Sequence, residues 1–302
     1  MNSTQIVVVG SINADLSTRV VRHPRPGETL PGSGGRFSPG GKGANQAAAA
    51  ALLGADVALV GAVGSDPPAE AALRVLRRAG VDLAAVAVTE ESTGLAVITV
   101  SEDGENTIVV VPGANATVDA AYVERHVDLI AGAEVLLMQG EIPAEGFQRA
   151  AELATGRVVV NLAPVVPVDR AALLRADPLL ANEHEAGLVL AQLGAAAPGR
   201  EPRELATALL EQGFASVVLT LGAAGALVAV PGHLTEIPTP QVKAVDTTGC
   251  GDGFAGALVG RLAEGEDLVS AAHYAARVGA FAATRPGAQD SYPGVGDRLP
   301  EV

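Results

Sequence analysis

The stretch Asp246-Thr247-Thr248-Gly249-Cys250-Gly251-Asp252 carries the strongest local signal in this 302-residue sequence. It follows a short extended run, Gln241–Val245, and opens a helical pattern at Gly253. Small residues allow a backbone to approach an anion closely, and the first N–H groups of a helix have no partner within the helix. The carboxylate of Asp252, beside that helix start, can take a proton from an attacking hydroxyl. The pattern therefore predicts a strand, a turn and a helix that hold a phosphoryl group during its transfer.

Two other interpretations of this stretch stay open. A glycine-rich turn in which Asp252 only caps the helix would have the same local sequence. The spacing Gly251-x-Gly253-x-x-Gly256 also occurs in dinucleotide-binding turns. That match is weak, because it lies near the C-terminus instead of in an opening βαβ unit, and no clear ribose-binding acid follows on a strand. A nicotinamide-dependent oxidoreductase is kept as an alternative on this ground.

Aliphatic runs alternate with helical patterns along most of the chain. The clearest strands are Ile6–Val9, Val57–Val60, Val135–Met138, Val158–Val160 and Val217–Leu221. The helical patterns are Gly43–Leu53, Ala69–Ala79, Asp119–Ile130, Pro143–Ala154, Arg203–Gln212, Gly253–Ala263 and Leu268–Ala283. Such alternation predicts an α/β fold with a mostly parallel central sheet flanked by helices. No linker is long enough to separate two domains, so we expect a single domain over residues 1–302.

Two segments depart from this alternation. Leu16–Ser38 contains Pro, Gly and short extended stretches but no helical pattern. Thr93–Pro112 contains two strand patterns, Gly94–Val100 and Thr107–Val111, joined by a turn at Glu102–Glu105. We expect the two segments to form a small β-strand lid outside the main sheet.

Composition limits the classes of partner and compartment. The chain is 48% hydrophobic but only 3% aromatic, and its formal net charge is −14. Nucleic-acid-binding proteins usually have the opposite charge, so no nucleic-acid partner is expected. Cys250 is the only cysteine, which excludes an intrachain disulfide and a thiolate zinc cluster. Met1–Gly10 has no signal-peptide pattern, and no apolar run is long enough for a membrane span, so a soluble, cytoplasmic protein is expected.

A lysine between glycines marks a second candidate site. The segment Gly40-Gly41-Lys42-Gly43-Ala44-Asn45-Gln46 leads into an Ala-rich helix and does not have Walker A spacing. Of 20 basic residues, only Lys42 and Lys243 are lysines. The retained ammonium of Lys42 therefore indicates a binding role, although an ordinary exposed loop lysine would look the same.

Three further segments end strands or begin helices. Gly10-Ser11-Ile12-Asn13-Ala14-Asp15 follows the first strand, where open α/β sheets collect ligands, and its Asn and Asp can bind sugar hydroxyls. Asn182-Glu183-His184-Glu185 could lie near a metal–nucleotide complex, and Thr220–Gly225 could border a nucleotide. A β-turn, an acidic helix N-terminus and a hairpin turn, respectively, explain the same residues without a ligand.

Together and in chain order, these motifs resemble the ribokinase family of sugar and nucleoside kinases over residues 10–293. Further matching segments are Glu91-Ser92-Thr93-Gly94, Gly104-Glu105-Asn106 and Pro112-Gly113-Ala114-Asn115. The resemblance implies a ribokinase-like fold with a β lid at about residues 16–38 and 93–112, through which two subunits form a homodimer. It also implies phosphorylation of the 5-hydroxyl of D-ribose by ATP, with Mg²⁺ and K⁺ as cofactors.

The resemblance further implies the following site residues. Asp252 would be the general base, with the backbone amides of Gly249, Cys250 and Gly251 as an anion hole. Ribose would contact Asn13, Asp15, Gly41, Lys42, Asn45, Glu141 and Asp252. ATP would be bordered by Asn182, Thr220, Gly222, Gly225 and Gly251, and Glu185 would hold Mg²⁺ through water. Potassium would be held by oxygens of Asp246, Thr248, Ala282, Arg285, Gly287 and Ser291.

The sequence departs from the family pattern at two site positions. Cys250 stands where Ala is usual, and its small thiol should leave the amides usable. Ala276 stands where an Asn or His near the nucleotide base is common in the family. Alternatives to a ribose acceptor are another sugar or a nucleoside, such as deoxyribose, fructose or adenosine. A sugar-binding regulator without catalysis is a further alternative, which the intact Asp252 opposes.

Overall fold

The computed structural model describes residues 5–195, 199 and 201–302. Its strands are β1 (Ile6–Val9), β2 (Asn13–Val20), β3 (Ser33–Gly40), β4 (Val57–Gly64), β5 (Val86–Thr89), β6 (Gly94–Ser101), β7 (Asn106–Val111), β8 (Val135–Gln139), β9 (Arg157–Asn161), β10 (Ala176–Asn182), β11 (Val217–Thr220), β12 (Ala226–Val230) and β13 (His233–Ile237). Its α-helices are α1 (Lys42–Leu52), α2 (Pro67–Ala79), α3 (Ala120–Glu124), α4 (Val127–Ala131), α5 (Ala144–Leu153), α6 (Arg170–Leu173), α7 (Glu183–Gln192), α8 (Pro202–Glu211), α9 (Cys250–Ala263) and α10 (Leu268–Ala283). Residues 1–4, which belong to the Met1–Gly10 segment tested for a signal-peptide pattern, lie outside the described ranges.

The central sheet has nine strands in the described part of the chain, in the order β13-β12-β11-β10-β9-β8-β1-β4-β5. Pairing is parallel from β5 to β11 and antiparallel for β11, β12 and β13. Strand β1 pairs with β4 on one side and with β8 on the other, so the strand order reverses direction at β1. This reversal opens a crevice at the carboxyl ends of the strands, where such sheets bind ligands. The predicted fold class is therefore confirmed.

Both faces of the sheet are buried, which explains the unbroken aliphatic runs in its strands. Ile6 and Val8 of β1 face the core formed with α1, α2, α9 and α10. Val7 and Val9 face the core formed with α3 to α8. The period-2 alternation of side chains thus divides one four-residue strand between two hydrophobic cores.

Close packing of α1 on α9 brings two distant motifs together. A Cβ added at Gly256 of α9 would lie 2.5 Å from the Gln46 carbonyl oxygen and 2.6 Å from the Ala49 Cβ of α1. Gly256 and the alanines of α1 therefore allow the two backbones to approach. As a result the Lys42–Gln46 segment lies beside the first turn of α9.

The two lid segments form one four-stranded sheet, in the order β3-β2-β6-β7. Strands β2 and β6 are parallel, and the two outer pairs are antiparallel. The β6–β7 hairpin turns at residues 102–105, where the sequence predicted a turn. Every residue of β7 is exposed, including Val109 and Val111.

The structure corrects several boundaries. The predicted helix Asp119–Ile130 is two short helices, α3 and α4, separated at Arg125 and His126. Gln241–Val245 is not a strand, and α9 begins at Cys250 rather than Gly253. The elements β5, β10, β13 and α6 were not among the predicted ones, whereas α7 and β12 match the helix-start and hairpin interpretations of residues 182–185 and 220–225.

No helix within the described ranges is both long enough and apolar enough to cross a membrane.

Candidate active site

Asp252 lies in the first turn of α9, with its side chain directed into the crevice at the strand ends. It is 7% exposed. Asn45 Nδ2 donates to one carboxylate oxygen at 2.9 Å, and Gln46 Nε2 donates to the other at 2.8 Å. Lys42 Nζ lies 4.0 Å from Asp252 Oδ1, and Asp252 is the main cause of the raised pKa of Lys42. A buried carboxylate held in this way has lone pairs left to accept a proton from a substrate hydroxyl.

The turn before α9 exposes backbone amides to the same crevice. Gly249 is in the left-handed region at φ 72°, and Tyr292 Oη donates to its carbonyl at 3.0 Å. A Cβ added at Gly251 would meet no atom within 4 Å, so this position is open to the crevice. The Cys250 amide donates to the Thr247 carbonyl at 3.2 Å. Of the three amides predicted to hold an anion, that of Cys250 is therefore already engaged within the turn.

The residues predicted to contact sugar line one cavity of 810 Å³ between the main sheet and the lid. These residues are Asn13, Asp15, Gly41, Lys42, Asn45, Glu141 and Asp252. The lid contributes Ala96, Ile98, Ile108 and Val110 to the opposite wall. A polar floor under an apolar roof suits a small polyhydroxy ligand that is to be shielded from water.

Four carboxylates line this cavity, and the charges of two of them act on Asp15. Burial, and then the charges of Glu141 and Asp252, raises the pKa of Asp15 from 3.8 to about 7. Glu141 Oε2 accepts from the Ser11 hydroxyl at 2.5 Å and from the Lys42 amide at 3.0 Å. Asn13 Oδ1 accepts from Asn115 Nδ2 at 2.7 Å. The crowding of negative charge is consistent with a site that is completed by hydroxyl donors from a ligand.

A second cavity, of 320 Å³, adjoins the other side of the α9 start. It is lined by the predicted nucleotide residues Thr220, Gly222, Gly225 and Gly251. Ala276 also lines it, together with Phe254 and Gly279, and none of the described residues that line it is Asn or His. The Thr239 hydroxyl donates to the Ala276 carbonyl at 3.3 Å. This cavity is mainly apolar, as a stacking surface for a planar base would be.

A third cavity, of 150 Å³, lies between the other two. It shares Lys42, Glu185, Gly249 and Asp252 with the 810 Å³ cavity and Thr220 and Gly251 with the 320 Å³ cavity. Asn182, which was also predicted to border ATP, lines the connecting cavity but neither of the other two cavities. The arrangement joins a polar pocket to an apolar one through a narrow space bordered by the glycine turn.

Asn182 and Glu185 form a capping box at the start of α7. Asn182 Oδ1 accepts from the Glu185 amide at 2.8 Å, and Glu185 Oε2 accepts from the Asn182 amide at 2.9 Å. The helix-start interpretation is thus correct, yet the same residues border the connecting cavity. A carboxylate there has the hard oxygens that Mg²⁺ prefers, and it can bind the ion through water.

The two segments predicted to hold potassium are in contact. The Gly287 amide donates to Asp246 Oδ2 at 2.8 Å, and the Thr248 amide donates to Asp246 Oδ1 at 2.9 Å. Burial acts to raise the pKa of Asp246, but these amide hydrogen bonds outweigh it and the pKa is lowered. The Ala282 carbonyl accepts from the Arg285 amide at 3.0 Å, and the Ser291 hydroxyl donates to the Ala288 carbonyl at 2.7 Å. The two segments therefore bring an anionic carboxylate and main-chain carbonyls close together, and such oxygens are the type of ligand that a monovalent cation takes.

The described residues contain no group of three or more His, Cys, Asp and Glu side chains suited to a metal ion. Burial raises the pKa of the Cys250 thiol to about 11, so this thiol is protonated at neutral pH.

Sequence reasoning missed a set of buried amide side chains beneath Asp252. Gln46 and Gln289 lie inside segments that were singled out, but they received no role. Gln139 and Asn161 end the aliphatic strands β8 and β9. A polar residue that ends a buried strand at the ligand edge of the sheet was the available signal.

Comparison with known proteins gives a match over nearly the whole chain. Residues 3–294 match the pfkB family of carbohydrate kinases. A ribokinase of Schizosaccharomyces pombe is 39% identical over 300 residues, which cover 95% of this chain and 94% of that protein. A deoxyribokinase of Salmonella typhi is 30% identical over 295 residues, 96% of each. The structure of Arabidopsis thaliana ribokinase complexed with ribose and ATP has a TM-score of 0.88 at 29% identity and covers 97% of this chain and 96% of that one.

Proposed function

The chain belongs to the pfkB family of carbohydrate kinases, and we propose that it transfers the γ-phosphoryl group of ATP to the 5-hydroxyl of D-ribose. The position of Asp252 carries this proposal. Its carboxylate lies in the wall shared by the polar cavity and the connecting cavity, beside the glycine turn. A sugar hydroxyl in the first cavity and a phosphoryl group in the second would meet at this residue. The similarity to ribokinases supports ribose as the acceptor.

In the proposed reaction Asp252 takes the proton of the 5-hydroxyl as its oxygen forms a bond to the γ-phosphorus. The bond from that phosphorus to the bridging oxygen breaks, and the electron pair leaves with ADP. The open amides at the α9 start stabilise charge on the phosphoryl oxygens. Asn13, Asp15, Lys42 and Asn45 orient the sugar, and the lid excludes water that would otherwise hydrolyse ATP.

Two ions fit residues at this site. Glu185, and the neighbouring Asn182, would hold Mg²⁺ through water, and the ion would neutralise charge on the ATP phosphates. Asp246 and the main-chain oxygens of residues 282–291 would hold K⁺. A potassium ion bound there would hold the turn at Gly249–Gly251 in place before the reaction begins.

We expect potassium to raise kcat by about tenfold or more, and sodium to do so poorly. Contact between Asp246 and Gly287 ties the predicted ion loops to the turn that contains the amides. A cation there would act through preorganisation, so kcat should rise more than ribose affinity. Turnover is measured in tetramethylammonium buffer and then with either ion added. Equal rates in all three would remove the ion site while leaving the role of Asp252 intact.

The position of the transferred phosphate tests the proposed reaction. D-ribose is incubated with ATP and Mg²⁺, and the product is identified from phosphorus–proton couplings by NMR. The proposal expects the phosphate on C5. A phosphate on C1, or ATP hydrolysis without sugar phosphorylation, would contradict it.

A second candidate acceptor is 2-deoxy-D-ribose, which the similarity to a deoxyribokinase favours. The same polar cavity and base would serve it. A nucleoside acceptor is less well supported, because the sugar cavity has no aromatic side chain on which a base could stack. Membership of a kinase family leaves the oxidoreductase alternative without support.

A homodimer through the lid remains part of the proposal. On β7, Ile108 and Val110 line the sugar cavity, Val109 and Val111 alternate with them along the strand, and all four are between 44% and 63% exposed. An apolar outer face on a small sheet is suited to pairing with another copy. Sedimentation analysis would test this arrangement.

A further inference from the structure

The buried amide side chains beneath Asp252 form a connected network. Gln139 Nε2 donates to Gln46 Oε1 at 2.7 Å. Gln46 Nε2 donates to both Asp252 Oδ1 and Asn161 Oδ1, at 2.8 and 2.9 Å. On the other side, Gln289 Nε2 donates to Asn45 Oδ1 at 2.9 Å, and Asn45 donates to Asp252 Oδ2. Both carboxylate oxygens of Asp252 therefore accept hydrogen bonds from side-chain amides, and each of these amides is itself hydrogen-bonded to a further amide side chain.

The backbone determines which way the Gln46 amide points. Asn161 Nδ2 donates to the Leu180 carbonyl at 3.0 Å, and a carbonyl can only accept. Asn161 Oδ1 must then face Gln46, which requires the Gln46 NH₂ group on that side. The same NH₂ group faces Asp252, and the Gln46 oxygen is left to accept from Gln139. Reversing the Gln46 amide would place an oxygen against the carboxylate and break three hydrogen bonds.

Side-chain amides can hold a carboxylate in position and leave it able to accept a proton. A buried carboxylate needs hydrogen bonds to offset its lost hydration. A short ion pair would meet that need but would compete with proton uptake, and Lys42 Nζ stays 4.0 Å away. Gln46 donates hydrogen bonds without adding charge or a second proton acceptor. It is 0% exposed and does not line any of the three site cavities, so it does not touch substrate.

We propose that Gln46 is a positioning residue for Asp252, and that Asn161 and Gln139 fix its orientation. This inference rests on the proposed function, because it gives the base a support. A substitution of Gln46 should therefore change the rate of phosphoryl transfer only while Asp252 is present.

A double-mutant cycle tests this role. Gln46→Met keeps the side-chain length and removes the donors, so kcat should fall about 10-fold to 100-fold as the base loses its fixed position. KM for the sugar should change by less than about threefold, because the other predicted sugar ligands are untouched. In an Asp252→Ala background the same substitution should change the residual kcat by less than about twofold, since the residue it positions is gone. Gln148→Met, an exposed glutamine of α5, is the matched control.

An equal fall in both backgrounds, an effect confined to KM, or no effect in the native background would overturn the proposal. Thermal unfolding and circular dichroism establish that the variants are folded. If Gln46→Met does not fold, Gln139→Met is measured in the same cycle, with a smaller fall of about threefold to tenfold expected. The cycle uses whichever sugar the native enzyme phosphorylates. A different acceptor would therefore revise the proposed substrate, while the cycle would still decide the role of Gln46.

Discussion

Replacing Asp252 with Asn should lower kcat by about 100-fold to 10,000-fold, as expected for loss of a general base. Asn keeps the shape of the side chain but cannot take the hydroxyl proton. Ribose and ATP should still bind, because the other residues that line their cavities are unchanged. Steady-state kinetics gives kcat, and calorimetry gives the two affinities.

Asp267→Asn provides a matched control for this experiment. Asp267 caps α10 through its side chain, and Asn caps helices equally well, so near-normal turnover is expected. Near-normal turnover of Asp252→Asn itself would remove Asp252 from the role of base. A loss of ribose binding instead of kcat would mean that the residue is a sugar ligand only.

Replacing Asp15 with Ala should weaken ribose binding by about 10-fold to 100-fold, the equivalent of a buried hydrogen bond to a charged group. ATP affinity should change little, because Asp15 lines the polar cavity and not the apolar one. Calorimetry with each ligand separates the two effects. Asp56→Ala, at an exposed position before β4, is the control.

The raised pKa of Asp15 adds a pH signature to this prediction. With a pKa of about 7 the carboxyl is largely neutral below that pH and ionised above it. A carboxylate accepts hydrogen bonds from sugar hydroxyls better than a neutral carboxyl does, so ribose affinity should rise as the pH increases from 6 to 8. Asp15→Asn should abolish this dependence. Unchanged ribose affinity in Asp15→Ala would mean that the sugar binds elsewhere.

The parts of the site that could be predicted are those encoded in short segments. The Asp246–Asp252 turn combines the helix start, the glycines and the base in seven consecutive residues, so one segment contains most of the chemistry. The lid hairpin was equally local, because β-branched runs flank a turn at residues 102–105. The β13 strand, His233–Ile237, has no period-2 alternation of burial, and it was missed.

The parts that could not be predicted depend on contacts between distant segments. Gln46 and Asp252 are 206 residues apart, and they meet only because Gly256 lets α9 approach α1. The break between α3 and α4, at Arg125 and His126, contains no Gly or Pro from which it could have been predicted. Within α3, the Tyr122 hydroxyl lies within hydrogen-bond distance of the carbonyls of Gly61 and Ala85, a tertiary interaction that periodicity does not show.

A comparison of acceptors tests the central claim most directly. ADP release is followed in a coupled assay with ATP, Mg²⁺ and potassium, using D-ribose, 2-deoxy-D-ribose, D-fructose and adenosine as acceptors. We expect the highest kcat/KM with D-ribose, because Asn13, Asp15, Asn45 and Glu141 provide polar partners for sugar hydroxyls in the cavity and the similar proteins include ribokinases. A higher kcat/KM with any of the other three, or no sugar-dependent ADP release at all, would contradict the assignment of ribose as the substrate.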